Sequence, residues 1–213
     1  MTDVLKEIAA LISDGDIDGV VNLTRRALDQ KIDPRRITQE AYIPALQSVG
    51  DKFSSGEIFL PEMLVAAMAV QGGMDILKPL LVKVGARSLG TIVLGSVQGD
   101  IHDIGKNLVG MMWEGAGFKV VDVGVDVPAT RFIEEAEKHQ ANIIAMSAII
   151  STTRANMPGI VRDIRASRLG HKVKIMVGGP PVTDEFCQQI GADGYAPDAN
   201  LAVHKAKELL GTV

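Results

Sequence analysis

Three short segments carry side chains that can do chemistry together. The first reads Gly99-Asp100-Ile101-His102-Asp103-Ile104-Gly105-Lys106-Asn107. An imidazole can ligate a metal, and a carboxylate two residues earlier can accept a hydrogen bond from its other ring nitrogen. Such a carboxylate fixes the tautomer of a metal-bound histidine and raises its basicity. Gly105 allows a tight turn and close backbone approach before the next helix. Lys106 and Asn107 either touch a ligand at a helix start or are exposed. The second segment reads Ser147-Ala148-Ile149-Ile150-Ser151-Thr152-Thr153. Hydroxyls at Ser147 or Thr153 are candidates to reach Asp100 or a ligand. The third reads Val177-Gly178-Gly179-Pro180-Pro181, where two glycines let a flat or bulky ligand approach the backbone. A lone histidine is more often an ordinary loop residue, so the weight rests on the three segments together.

The elements that must hold these segments follow from hydrophobic periodicity. After residues 84–90, short Val/Ile runs alternate with amphipathic helices. Strands are expected at Thr91–Val97, Lys119–Val123, Asn142–Ser147, Val173–Val177 and Gly194–Ala196. Helices are expected at Ile104–Gly115, Ala129–His139, Arg154–Ala166, Asp184–Gln189 and Asn200–Leu210. Apolar strands between helices imply a parallel sheet covered on both faces. Five such strands fit a flavodoxin-like (Rossmann-like) doubly wound α/β sheet. Its ligands sit beyond the carboxyl ends of strands 1 and 3, where the winding reverses. The first two chemical segments follow those strands. Met111-Met112-Trp113, on the first helix of this part, is expected to pack on the sheet.

Before residue 84 the pattern is helical. Val4, Leu5, Ile8, Leu11 and Ile12 form one stripe, ended by Asp14-Gly15-Asp16. Val20 to Leu28 make a second helix. Pro34 opens a third that runs to Phe53, with a kink expected at Pro44. Ser54-Ser55-Gly56 breaks the chain, and Pro61 opens a fourth helix to about Val82. Four amphipathic helices with short links imply a four-helix bundle. The expected domains are thus 1–85, helical, and 90–213, α/β.

The chain has 213 residues, 46% of them hydrophobic and 4% aromatic, so its core must be aliphatic. A net charge of -4 gives no basic surface for nucleic acid. No apolar run reaches the roughly 20 residues of a membrane span, and Met1 to Ala10 lacks the order of a signal peptide. A single cysteine, Cys187, excludes an internal disulfide and suits a reducing cytoplasm. One cysteine and four histidines argue against a Cys/His zinc cage.

Asp100-x-His102-x-x-Gly105, then Ser147-x-Ile149, then Gly178-Gly179 resembles the cobalamin-binding signature of cobalamin-dependent methionine synthase and of the small corrinoid proteins of methyltransferase systems. Ile149 stands where that signature usually has Leu. Asp51-Lys52-Phe53 through Gly56 to Phe59-Leu60-Pro61 is similar to the helical cap of the same proteins, so the resemblance covers nearly the whole chain.

The resemblance implies a corrinoid held base-off/His-on, with His102 as the cobalt ligand. Asp100 becomes its hydrogen-bonded partner and Thr153 the hydroxyl that completes the relay. By the same resemblance Ser147, Ile149, Gly178 and Gly179 lie along the nucleotide tail, Gly105 at the cofactor loop, and Phe53 and Leu60 on the cap. It implies a free-standing methyl carrier rather than an enzyme. A substrate:corrinoid methyltransferase would load cobalt(I) from a methylated donor. A second methyltransferase would pass the methyl from methylcobalt(III) to a folate or thiol acceptor, and a reductive activating protein would restore cobalt(I). A mutase cobalamin subunit or a cobalamin-dependent sensor would share the signature. The first would lack the cap, and the second would need an output module for which no residues remain.

Overall fold

A computed structural model of the chain describes residues 2–212. It divides into two compact units: residues 1–88 with 111–117, and residues 89–110 with 118–213.

The helical unit is built from α1 (Asp3–Asp14), α2 (Ile17–Asp29), α3 (Pro34–Ile37), α4 (Ile43–Ser55) and α5 (Leu60–Lys83). A π-helical turn over Thr38–Tyr42 joins α3 to α4, so the unit has four helical rods. Local chemistry sets several helix ends. Gly15, at φ +71°, closes α1 in the left-handed conformation that glycine adopts freely. The Asp16 carboxylate accepts from the Gly19 N–H at 2.9 Å and opens α2. Glu62 accepts from the Phe59 N–H at 2.7 Å and opens α5. The expected kink at Pro44 takes the form of the π turn just before it. Proline supplies no N–H to the ladder, and the preceding turn widens.

Aliphatic stripes fill the interior: Leu5, Ile8 and Ile12 of α1, Val20 of α2, and Met63, Val70 and Leu77 of α5 are buried. α5, at 24 residues, has the length and mean hydropathy of a membrane span, but Glu62, Asp75 and Lys78 interrupt its apolar run and Met63, Val70 and Leu77 pack in this core. Tyr42 is a large polar-tipped side chain deep in this core, and its hydroxyl lies 2.5 Å from that of Thr24. Thr24 in turn donates to the Val20 carbonyl at 2.6 Å, so Tyr42 donates and the pair is satisfied. Gly73 of α5 makes room for Tyr42, because a Cβ there would lie 1.7 Å from the phenol oxygen.

The α/β unit alternates β1 (Thr91–Ser96), α6 (Ile104–Gly115), β2 (Lys119–Asp122), α7 (Ala129–His139) and β3 (Ile143–Ser147). It continues through α8 (Ser151–Arg154), α9 (Met157–Ala166), β4 (Lys174–Gly178), α10 (Asp184–Gln189), β5 (Gly194–Tyr195) and α11 (Ala199–Leu210). The strand order is β2-β1-β3-β4-β5 with every pair parallel, the flavodoxin-like order expected from sequence. Ser96, Ser147 and Gly178 share one register row, so three loops leave the carboxyl edge side by side. Val93, Phe132, Ile144, Ile164 and Val177 belong to its core.

Two expectations change here. The helix expected over Arg154–Ala166 begins at Met157, as α9, and a separate short helix, α8, covers Ser151–Arg154, read from sequence as loop. Pro158 lies in the first turn of α9 and has no N–H to continue a ladder from α8. The Asn156 side chain donates to the Gln98 carbonyl at 2.7 Å and pins the break. Met111-Met112-Trp113 falls with the helical unit rather than with the sheet.

Replacing Gly73 with Ala should lower stability by about 1–3 kcal/mol, because the methyl group overpacks the Tyr42 site despite alanine's better helix propensity. A urea melt reads this directly, and an unchanged midpoint would sink the account.

Candidate functional site

The chain leaves β1 through Val97 and turns at Gly99, whose φ of +86° is open to glycine. The turn delivers Asp100 to the interior, where it is 1% exposed. A carboxylate stripped of water at that depth must be compensated by hydrogen bonds. Four reach it. Oδ1 accepts from the His102 backbone N–H at 3.0 Å and from His102 Nδ1 at 2.8 Å. Oδ2 accepts from the Ile149 backbone N–H at 2.8 Å and from the Thr153 hydroxyl at 2.6 Å. Burial pushes the Asp100 pKa up. The Thr153 hydroxyl, the Ile149 and His102 amides and the imidazole together outweigh it and hold the group well below the usual carboxylate range. Asp100 is therefore an anion, and Nδ1 of His102 carries the proton that it donates. A neutral His102 then keeps a free lone pair on Nε2. Its side chain is 52% exposed, so that nitrogen is on the accessible part of the ring.

Of the two hydroxyls weighed from sequence, Thr153 reaches Asp100. Ser147 instead ends β3, and its carbonyl accepts from the Val97 N–H at 3.0 Å. Ile149 enters through its backbone amide, not its side chain. Asp100, His102, Ile149 and Thr153 are thus brought together. Gly105 does not make the expected tight turn. It lies in the first turn of α6 with open space where a Cβ would be. Gly179 carries the close approach: its φ is +114°, and a Cβ would lie 1.9 Å from the Ala148 carbonyl oxygen. Its neighbour Gly178 has ordinary room, 3.7 Å from the Ala196 carbonyl. Phe53 lies half-buried in the last turn of α4, and Leu60, 45% exposed, opens α5.

Ser96 and Arg154 escaped the sequence reading, and Lys106, read as a ligand contact or an exposed residue, is buried instead. Ser96, buried at the end of β1, donates to the His102 carbonyl at 2.7 Å. Lys106 is buried and pairs with Asp122 and with Asn107 Oδ1 at 2.7 Å, so it is committed within its own unit. Arg154 donates to the Pro181 carbonyl at 2.7 Å and lies over the Phe186 ring at 4.7 Å, tying the β3 loop to the glycine loop. Only long-range contacts reveal these roles. Exposed apolar side chains complete the edge: Ile101, Ile104, Val125 and Ile150.

The arrangement can present one neutral imidazole nitrogen, of fixed tautomer, to a metal. Among the described residues no group of three or more His, Cys, Asp or Glu side chains could hold a metal ion.

Residues 90–204 match the family model described as B12 binding domain, and residues 4–78 match a second model of the same description. The chain is 38% identical over 211 residues to a corrinoid protein of Desulfitobacterium hafniense, covering 98% of each. It is 39% identical over 210 residues to trimethylamine corrinoid protein 1 of Methanosarcina acetivorans, covering 98% of this chain and 97% of that one. Among solved structures, the methanol:cobalamin methyltransferase complex of Methanosarcina barkeri contains a similar chain. The TM-score is 0.83 at 29% identity, over 99% of this chain and 81% of that one.

Two outcomes test the site as protein chemistry. Gly179→Ala should destabilise the chain by roughly 1–3 kcal/mol from its backbone conformation alone, with the Ala148 clash in addition. Gly178→Ala should be far milder, and equal thermal shifts would refute the assignment. Asp100 has a folded pKa below its unfolded value, so it contributes stability above the ordinary carboxylate range and loses it as pH falls through that range. The stability advantage of wild type over Asp100→Asn, followed by urea melts across acid pH, should therefore shrink as pH falls. A constant gap would contradict the anion.

Proposed function

Because the chain belongs to the B12-binding corrinoid proteins of methyltransferase systems, we propose that His102 Nε2 is the lower ligand of a corrinoid cobalt, held base-off/His-on. The chain binds a corrinoid and acts as a methyl carrier with a partner methyltransferase. The observation that carries the ligand assignment is the pair His102 Nδ1 to Asp100 Oδ1 at 2.8 Å, which leaves Nε2 free on an exposed ring.

The residues present fit such a group. A single imidazole suits a metal that brings its other ligands in a macrocycle. Apolar side chains at Ile101, Ile104, Val125 and Ile150 suit a large, flat, mostly hydrocarbon face. Gly105, Ser147, Ile149, Gly178 and Gly179 lie along the same sheet edge as candidates to hold the rest of the cofactor. Phe53 and Leu60 of the helical unit are candidates for its cap, which makes 1–85 and 90–213 a cap and a cofactor domain.

When bound, the corrinoid supplies the cobalt centre that takes up and gives away the methyl group. The chain's own residues control the imidazole. Asp100 keeps the proton on Nδ1 and turns the lone pair of Nε2 outward. Its depressed pKa makes it a poor place to store a proton. Thr153 supplies the Asp100 oxygen with the hydroxyl that keeps it anionic. The methyl donor enters through a substrate:corrinoid methyltransferase. A second methyltransferase receives the methyl for a folate or thiol acceptor, and a reductive activating protein restores the working state of the metal. The carrier itself catalyses nothing alone.

Anaerobic loading with hydroxocobalamin, followed by electron paramagnetic resonance of the cobalt(II) form in nitrogen-15-labelled protein, tests the reading. Stoichiometric binding with label-dependent coupling is expected, with the coupling lost in His102→Ala. Asp100→Asn should weaken corrinoid affinity about 10–100-fold. Failure to bind would remove the carrier reading, and binding without label coupling would remove His102 from the metal.

A further inference from the structure

Asp100 reaches His102 only if its backbone is held in place, and a fourth segment holds it. The loop between β2 and α7 runs from Val123 to Pro128, and Asp126 lies in it with φ +54°. The left-handed region is uncommon for a residue with a side chain, and Asp is among the few that enter it. In this conformation Asp126 holds both ends of the Gly99–Asp100 segment of the β1 loop. Its Oδ1 accepts from the Gly99 N–H at 2.6 Å, and its own N–H donates to the Asp100 carbonyl at 2.9 Å.

Beside this clasp, Val97 and Val127 form a parallel bridge that fixes the two loops against each other. Asp100 also donates its N–H to the Val97 carbonyl at 2.9 Å. Both polar ends of its backbone are therefore tied, and only the side-chain torsions remain. The carboxylate can then bridge His102 on one oxygen and Ile149 and Thr153 on the other. Releasing the Gly99 N–H would free the Gln98–Gly99 peptide just before Asp100.

We infer that Asp126 is a positioning residue for His102, acting through the Gly99–Asp100 backbone segment to set the imidazole tautomer and the presentation of Nε2. The inference deepens the reading of His102 as the cobalt ligand and rests on it for its functional meaning.

The test uses cofactor-free, nitrogen-15-labelled full-length protein and reads the His102 ring by long-range proton–nitrogen correlation at about pH 8, where an ordinary imidazole is neutral. Wild type should show the Nδ1–H tautomer. Asp126→Ala should move the tautomer ratio by at least about fivefold, the factor of one net hydrogen bond. Asp126→Asn keeps a side-chain oxygen and tolerates the left-handed backbone, so it should restore the wild-type ratio. Asp126→Gly keeps the backbone freedom without the acceptor, so it should resemble Asp126→Ala. A wild-type ratio in both the Ala and Gly variants would overturn the inference, even if their melting temperatures fell. A shifted ratio in Asp126→Asn would overturn it as well. Cobalt(II) label coupling in the wild type is a separate readout, so failure of the ligand reading is distinguishable from failure of Asp126.

Discussion

The site depends on one buried carboxylate. Asp100 gives up nearly all of its water and remains an anion, which is tolerable only because four donors meet it. Two of those donors come from its own turn, and two come from the β3 loop, about fifty residues away in sequence. The strand order makes this possible. β1 and β3 are neighbours in the sheet, with Ser96 opposite Ser147, so their loops start level. A different order would separate Asp100 from Thr153 and leave a buried charge without its partners.

The same carboxylate explains the demands placed on its surroundings. Glycine is required where backbones crowd, at Gly99 to turn the chain inward and at Gly179 to pass the Ala148 carbonyl. Ser96 ties down the His102 carbonyl from below, so the histidine is held at its backbone as well as its ring. Arg154 links the residue after Thr153 to the glycine loop through Pro181. The three loops at the sheet edge thus constrain one another, while the apolar side chains among them stay exposed.

Much of this was legible in the sequence, and the misses share a cause. Period-two and period-3.6 patterns located every strand and the bounds of α6, α7 and α10, because those patterns report burial within one element. The pairing of Asp100 with His102 was readable from their spacing. Thr153 over Ser147 was not readable from spacing alone, since both hydroxyls lie near the same strand end. Ser96 and Asp126 were missed, and the pairing of Lys106 with Asp122 was not foreseen, because each acts on a residue brought near only by the sheet. The start of α9 at Met157 rather than Arg154 was marked by Pro158, which suits the first turn of a helix. α5 reads as an unbroken apolar helix for a related reason. Its buried face and several of its exposed positions are both aliphatic, with Val65 and Met68 outside and Met63 and Val70 inside.

Threonine at position 153 does more than supply a hydroxyl. A β-branched side chain has fewer open χ1 rotamers. Its methyl group faces the Gly99 backbone, 3.6 Å from where a Cβ would stand, which leaves the hydroxyl on the Asp100 side. That hydroxyl has one proton and two acceptors within reach, Asp100 Oδ2 at 2.6 Å and the Ile150 carbonyl at 3.0 Å. An anionic acceptor binds a hydroxyl proton more strongly than a neutral carbonyl does, so the charge on Asp100 decides where the proton points. The stiffness of Thr153 and the charge of Asp100 therefore reinforce each other. The free Nε2 of His102 is the far end of that chain: the hydroxyl keeps the carboxylate anionic, the carboxylate keeps Nδ1 protonated, and the lone pair is left on the accessible nitrogen.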